Sequence, residues 1–241
     1  MGLEDAETLG EGNSSIGLST SVGMSTVELY LDSTRNLKSE TTSWAPIEAH
    51  FQTGIREDVD LGVSLWNSSL LSIFRFRNNT SYYDIGMNVN FKYRLTPPMF
   101  KRNVAVSVSF IGQLAGYEKG DDYWNYRTFG IAPGIIYSRN VRIVEMPDSS
   151  VMHKRLFHVV KSFYAGLKTY FIFTDIKTFT VALPAEIRLT GYPIIYDTYV
   201  GISFGYKNFT YLEVHGVFMK NPHDGVTELA PYVGMGTKFL F

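Results

Sequence analysis

ELAPYVGMGTKFLF, from Glu228 to Phe241, ends the chain on a pattern of period two. Leu229, Pro231, Val233, Met235, Thr237, Phe239 and Phe241 make one set, largely apolar, and Ala230, Tyr232, Gly234, Gly236 and Lys238, small or polar, alternate with it. Successive side chains on a strand point to opposite faces, so this stretch predicts one face on lipid and the other in a lumen.

The same alternation recurs upstream. From Tyr82 to Leu95 the residues Tyr83, Ile85, Met87, Val89, Phe91, Tyr93 and Leu95 are expected outward, with Asp84, Gly86, Asn88, Asn90, Lys92 and Arg94 inward. Pro46 to Ile55 and Val59 to Leu65 read as a hairpin about Arg56-Glu57-Asp58. Further strands are expected over Leu70–Arg77, Asn103–Tyr117, Tyr126–Tyr137, Phe163–Phe173, Phe179–Leu189, Thr198–Tyr206 and Phe209–Met219. In Ser14–Leu31 the apolar phase moves from even to odd numbers, which predicts a bulge near Thr26, and the polar stretch Ser33–Ser43 reads as a loop. The count is about twelve, with ten or fourteen also compatible, and an even count puts both termini on the periplasmic side. Connections near 33–45, 96–102, 139–155 and 220–227 are then expected on the outer side. Periodicity leaves Val151–Val160 open between a short helix and a strand.

With Gly236, an aromatic at Phe239 and a terminal Phe241, the last strand resembles the assembly signal of bacterial outer-membrane β-barrels; Gly234 stands where that pattern has a polar residue. The resemblance implies a transmembrane antiparallel up-and-down β-barrel in the outer membrane. Its surroundings would be outer-membrane lipid and lipopolysaccharide, and the barrel-assembly machinery would read its last strand. Residues 1–12, acidic and Gly-rich without periodicity, read as a flexible periplasmic arm or short plug, and residues 13–241 as the barrel. The acidic start, Met1 to Asp5, lacks the basic and apolar stretches of a leader, so the natural precursor is expected to carry one upstream.

Composition bounds the alternatives. With 241 residues, 15% aromatic and 19% charged, the chain suits one domain or one medium barrel, and no apolar run approaches the roughly 18 residues of a spanning helix. A net charge of −1 gives no footprint for nucleic acid, and the absence of Cys excludes disulfides and thiolate metal sites. Lipocalins and β-sandwiches share the alternation. The breadth of the outward apolar face, with Tyr and Phe near strand ends, favours the membrane barrel instead.

The inward set holds the candidate functional residues. Glu48, His50, Gln52 and Asp60 come from the first hairpin; Arg75 and Arg77 from the next expected strand; Asp84, Asn88, Asn90, Lys92 and Arg94 from Tyr82–Leu95. Gln113, Lys168, Tyr170, Glu186, Arg188, Tyr211, Glu213, His215 and Lys238 complete it. One reading is a hydrophilic path for small solutes, biased toward anions by Arg75, Arg77, Lys92 and Arg94. Another is an internal network of paired charges that plugs the barrel, since buried charges need partners. Glu48-x-His50 and Glu213-x-His215 each set a carboxylate beside an imidazole, half of a hydrolase triad, but no Ser lies in a recognisable nucleophile context, so a lipid hydrolase is the lesser alternative. No cofactor is implied, and the two His offer no complete metal-ligand set. His153-Lys154-Arg155 with Lys161 forms a basic patch suited to lipopolysaccharide phosphates or a partner.

Overall fold

The computed structural model describes residues 5–31, 37–44, 46–67, 80–97, 101–119, 121–141, 160–180, 183–205, 208–220 and 227–241. They form twelve antiparallel strands: β1 (Ser14–Leu31), β2 (Leu37–Trp44), β3 (Ile47–Arg56), β4 (Val59–Asn67), β5 (Thr80–Arg94), β6 (Arg102–Lys119), β7 (Asp122–Asn140), β8 (Val160–Thr180), β9 (Leu183–Gly191), β10 (Ile194–Phe204), β11 (Asn208–Lys220) and β12 (Thr227–Leu240). Ten of them close a ring, β1-β3-β4-β5-β6-β7-β8-β10-β11-β12, and β12 returns to β1 from Ser15↔Leu240 to Gly23↔Tyr232. A closed ladder satisfies the backbone hydrogen bonds that lipid cannot.

β2 and β9 lie outside this ring. β2 pairs with the far half of β1, up to Leu31↔Leu37, and β9 pairs with the far end of β8, Thr174↔Gly191 to Thr180↔Leu183. Each is the continuation of a wall strand past a proline. Pro46 separates β2 from β3, and Pro193 separates β9 from β10. A proline removes one ladder donor but keeps its acceptor. Accordingly the Pro46 carbonyl accepts from Ser21 N at 3.4 Å and Thr20 Oγ1 at 2.8 Å, and the Pro193 carbonyl accepts from Ile172 N at 3.2 Å.

The strand count of about twelve is therefore corrected to ten wall strands. The expected strands 179–189 and 198–206 are one interrupted wall strand. Leu70–Arg77 lies outside the described residues, and the ring closes without it because β4 pairs β5 directly, from Val59↔Tyr93 to Trp66↔Gly86. With two fewer crossings the sides of the connections change: those at 95–101 and 141–160 leave and enter at the end that carries Ser14 and Phe241, where the outer side was expected. Asn140 N donates to the Lys101 carbonyl and Val141 N to the Lys161 carbonyl there. The loop expected over Ser33–Ser43 is replaced, over Leu37–Trp44, by β2, and the β1 bulge falls between Glu28 and Tyr30. Val151–Val159 lies outside the described residues.

Exposure is inverted relative to a water-soluble domain. Met87, Phe110, Val200 and Val233 are about half exposed, while Asp60, Lys92, Ser109 and Glu213 are at 2% or less. Phe239 and Phe241 of the last strand face outward, and Lys238 faces in. The belt of outward apolar side chains is stable only against lipid.

Residues 5–13 turn into the end of the barrel that carries the termini. Asp5 and Ala6 are buried, Ala6 packing with Ala105 and Ile136. The chain then reverses through Gly10 and Gly12, both at positive φ near 80°, where glycine is favoured. Gly54 on β3 lies so close to this turn that a Cβ there would sit 1.9 Å from the Gly10 carbonyl oxygen.

Candidate functional site

Two arrangements occupy the interior. The first fills the end that carries the termini. The period of two on β4 and β5 turns Asp60 and Lys92 inward, and their register pairing sets carboxylate and ammonium 3.2 Å apart, both essentially fully buried. Asp60 also accepts from Gln52 Nε2 at 2.6 Å and from Leu9 N at 3.0 Å. Lys92 also donates to the carbonyls of Asp5, at 3.3 Å, and Glu7. From β8, Lys161 reaches the carboxylates of Asp5, at 3.6 Å, and Glu7, while Asn140 Nδ2 donates to Glu7 Oε1 at 2.6 Å. An acidic segment thus sits in a socket of basic side chains, with Lys92 on Asp60 and Lys161 on Asp5 and Glu7, since buried charges need partners.

The second lies deeper, on β10, β11 and β12. Their registers align Tyr199, His215 and Tyr232. Asp197 and Glu213, each two residues earlier, share the inward face. His215 is held at both ring nitrogens and on both faces: Nδ1 meets Asp197 Oδ1 at 2.9 Å, Nε2 meets Glu213 Oε2 at 2.8 Å, and the rings of Tyr232 and Tyr199 stack on it at 4.0 and 5.1 Å between centroids. Tyr164 Oη donates to Glu213 Oε1 at 2.7 Å and Tyr232 Oη to Asp197 Oδ2 at 3.2 Å. While both carboxylates are ionised, each accepts a hydrogen bond from the ring only when each nitrogen carries a proton. Neither nitrogen is left for a nucleophile or a metal, and among the described residues no group of three His, Asp or Glu side chains is placed to hold a metal ion.

Above this cluster a cavity of about 340 Å³ occupies the half of the barrel away from the termini. Glu48, Asn88, Thr128, Lys168, Asp197, Glu213 and His215 line it together with Trp66, Tyr126, Tyr170, Ile172, Ile195 and Val217. A smaller cavity of about 20 Å³ adjoins it, lined by Glu48, His50, Asn90 and Lys238 among others, and neither ring nitrogen of His50 meets a protein hydrogen-bond partner.

Of the residues singled out from sequence, Glu48, His50, Asp60, Asp84, Lys92, Arg94, Lys168, Glu213 and His215 are all buried inside the ring. Asp84 accepts from Gln113 Nε2 at 2.9 Å, and Arg94 donates to the Glu57 carbonyl at 2.9 Å. Glu186 and Arg188 are instead exposed on β9, beyond Pro193 and outside the ring, so they do not line the lumen there. Arg188 forms a two-pronged pair with Asp175 at 2.8 and 3.1 Å, and Glu186 accepts from Tyr123 Oη. Arg75, Arg77 and His153-Lys154-Arg155 lie outside the described residues. Lys161, grouped with that loop patch on sequence, lies in β8 on the carboxylates of Asp5 and Glu7.

Sequence reasoning missed Asp5, Glu7, Tyr164, Asp197 and Tyr232 as members of these clusters. Asp197 was findable, since it keeps phase with Ile195 and Tyr199; a strand start set at Thr198 excluded it. The acidity of residues 4–7 against an inward basic set was the signal for the arm.

No protein-family model matches the chain, and no curated protein does. Among solved structures, the chain is similar to the outer membrane protease OmpT from Escherichia coli, with a TM-score of 0.54 and 10% identity over 98% of this chain and 100% of that one. It is also similar to the translocator domain of the autotransporter NalP from Neisseria meningitidis, with a TM-score of 0.51 and 9% identity over 95% of this chain and 88% of that one. The likeness is one of fold, and by fold this chain is a β-barrel of the bacterial outer-membrane type.

Proposed function

We propose that this protein is a plugged barrel presenting an outward-facing binding cup, in place of an open passive pore. The observation that carries this reading is the docking of residues 5–9, whose backbone and carboxylates engage Lys92, Lys161, Asp60 and Asn140 across the end of the barrel. A hydrophilic path biased toward anions would need Lys92 and Arg94 free for solute. Lys92 is instead committed to Asp60 and two arm carbonyls, and Arg94 to the Glu57 carbonyl. Hydrolase chemistry at Glu213-x-His215 is disfavoured by the occupation of both imidazole nitrogens.

The test is conductance in a planar bilayer. The full chain is expected to give no steady current, and deletion of residues 5–12 is expected to give discrete steps with anion preference, because Lys92, Lys161 and Lys238 then face water. Steady open steps from the full chain overturn the reading.

A further inference from the structure

We infer that the cup binds one neutral pyranose ring, stacked by a C–H face on the indole of Trp66 and hydrogen-bonded at its hydroxyls by Asn88 and Thr128. The inference rests on the plugged-cup reading and specifies its ligand. Trp66 reaches from β4 over Gly86, its register partner on β5. A Cβ at Gly86 would stand 1.9 Å from indole Cε2 and 2.3 and 2.4 Å from Cζ2 and Nε1, two of the atoms bonded to it. So small a spread requires an approach close to the ring normal. The indole therefore lies flat on the wall and turns its other face to the 340 Å³ cavity that it lines. Glycine at position 86 is what permits this close approach.

Two polar side chains flank that platform by register. Gly86 pairs with Gln113 of β6 and Gln113 with Thr128 of β7, while Asn88 is the next inward residue of β5. Strands lie about 4.8 Å apart and rise about 3.4 Å per residue, so Thr128 stands about 10 Å and Asn88 about 7 Å from Gly86 along the wall. A six-membered ring with its hydroxyls bridges that span. Asn88 and Thr128 line the cup at 7% and 4% exposure, yet Asn88 Oδ1 and Thr128 Oγ1 meet no protein hydrogen-bond partner. A buried amide oxygen and a buried hydroxyl call for partners. A sugar supplies hydroxyls at its rim together with polarised C–H groups that rest on the negative face of an aromatic ring. The charged groups make no comparable call for an ion: Asp197 and Glu213 bond to His215 and to two tyrosine hydroxyls, and neither Glu48 nor Lys168 is without a partner. The cavity volume is that of a small-ligand pocket and admits one such ring.

The test uses the full chain in a polyoxyethylene detergent, which carries no sugar, with binding read by titration calorimetry. Methyl β-D-glucopyranoside is the neutral sugar probe; cyclohexylmethanol lacks the ring hydroxyls, and glucuronate and glucosamine add a negative and a positive charge. The glucoside is expected to bind saturably, about tenfold or more tighter than the other three. Trp66→Leu, Asn88→Ala and Thr128→Val are each expected to weaken it about fivefold or more. Gly86→Ala is expected to abolish binding by lifting the indole off the wall, and Glu186→Gln, outside the ring, to change nothing. Heat-modifiable gel migration of each variant verifies the closed barrel. Cellotriose binding tighter than the glucoside assigns the ring to the end of a glycan, and equal or weaker binding assigns it to a free sugar. No saturable binding of the glucoside, equal affinity for cyclohexylmethanol, preference for a charged sugar, or an affinity that survives both Trp66→Leu and Thr128→Val in folded barrels overturns the inference. Bilayer recording separates this result from the reading beneath it: a silent chain that binds no sugar loses only the ligand assignment, whereas a conducting chain that binds the glucoside loses only the plug.

Discussion

Replacing Lys92 with Met removes one partner of a pair held 3.2 Å apart at 2% and 1% exposure. Such burial allows little solvent screening, and breaking a buried pair by deleting one partner typically costs about 3–5 kcal/mol, because the other charge is left behind. Asp60 keeps two donors, Gln52 Nε2 and Leu9 N, so the lower end of that range, about 3 kcal/mol, applies here. Urea titration of the protein in lipid vesicles measures this directly. The double variant Lys92→Met/Asp60→Leu sharpens the argument, since an apolar pair of similar volume is often neutral relative to a buried ion pair. It is expected to recover most of the wall stability. The arm is not expected to recover, because Leu9 N loses its acceptor and the carbonyls of Asp5 and Glu7 lose their ammonium donor. Amide hydrogen exchange over residues 5–9 should then be fast in a barrel that unfolds almost normally. Two results refute the reasoning: a Lys92→Met protein within about 0.5 kcal/mol of the parent, or a double variant no more stable than the single one.

Two further outcomes test the wall and the arm. Met87→Arg, on the outward face of β5, is expected to cost about 2–4 kcal/mol and to lower the heat-modifiable fraction on gels, while the inward neighbour change Asn88→Ser is tolerated; equal effects would show that the two faces are wrongly assigned. Gly54→Ala introduces a Cβ 1.9 Å from the Gly10 carbonyl oxygen, so the turn at residues 10–13 should lift from β3 and exchange its amides faster with the ring intact, and unchanged exchange would contradict that close approach.

The strands easiest to read from sequence are those that separate lipid from lumen along their whole length. On β5, Met87 and Asn88 must differ because one meets acyl chains and the other a polar interior, and β12 repeats this with Val233 and Gly234. Beyond the ring that requirement lapses, so LKSETTSW carries no alternation and reads as a loop, although it forms β2. Pro193 accounts for one of the two surplus strands, the other being Leu70–Arg77, outside the described residues. A proline ends a helix but deletes only one bond of a ladder, and the wall strand continues on either side of it. Within the site, the inward direction of Glu213 and His215 follows from the period of two, whereas the partner of each depends on which strands meet. Asp197 joins His215 only through the β10–β11 register. Lys161 meets Asp5 and Glu7 through a fold that brings distant segments to one end, and local pattern holds no trace of such an encounter.

The docked arm also bears on the order in which the molecule forms. Thr8 bonds to Glu57, 49 residues on; Lys92 to Glu7, 85 residues apart; and Asn140 to Glu7, 133 residues apart. Loops of that length carry a closure entropy that only already assembled partners can offset. The socket draws on β4, β5, β7 and β8, so it exists only once the middle of the wall is in place. A segment at the beginning of the chain is therefore among the last to settle. Its neighbour in sequence, β1, makes the final seam with β12, so sealing the ring and neutralising its basic floor are tied to the same few residues. A barrel that sealed with the arm outside would be closed in its hydrogen bonds yet leave Lys161 without the carboxylates of Asp5 and Glu7, which makes amide protection at residues 5–9 a marker of completed assembly.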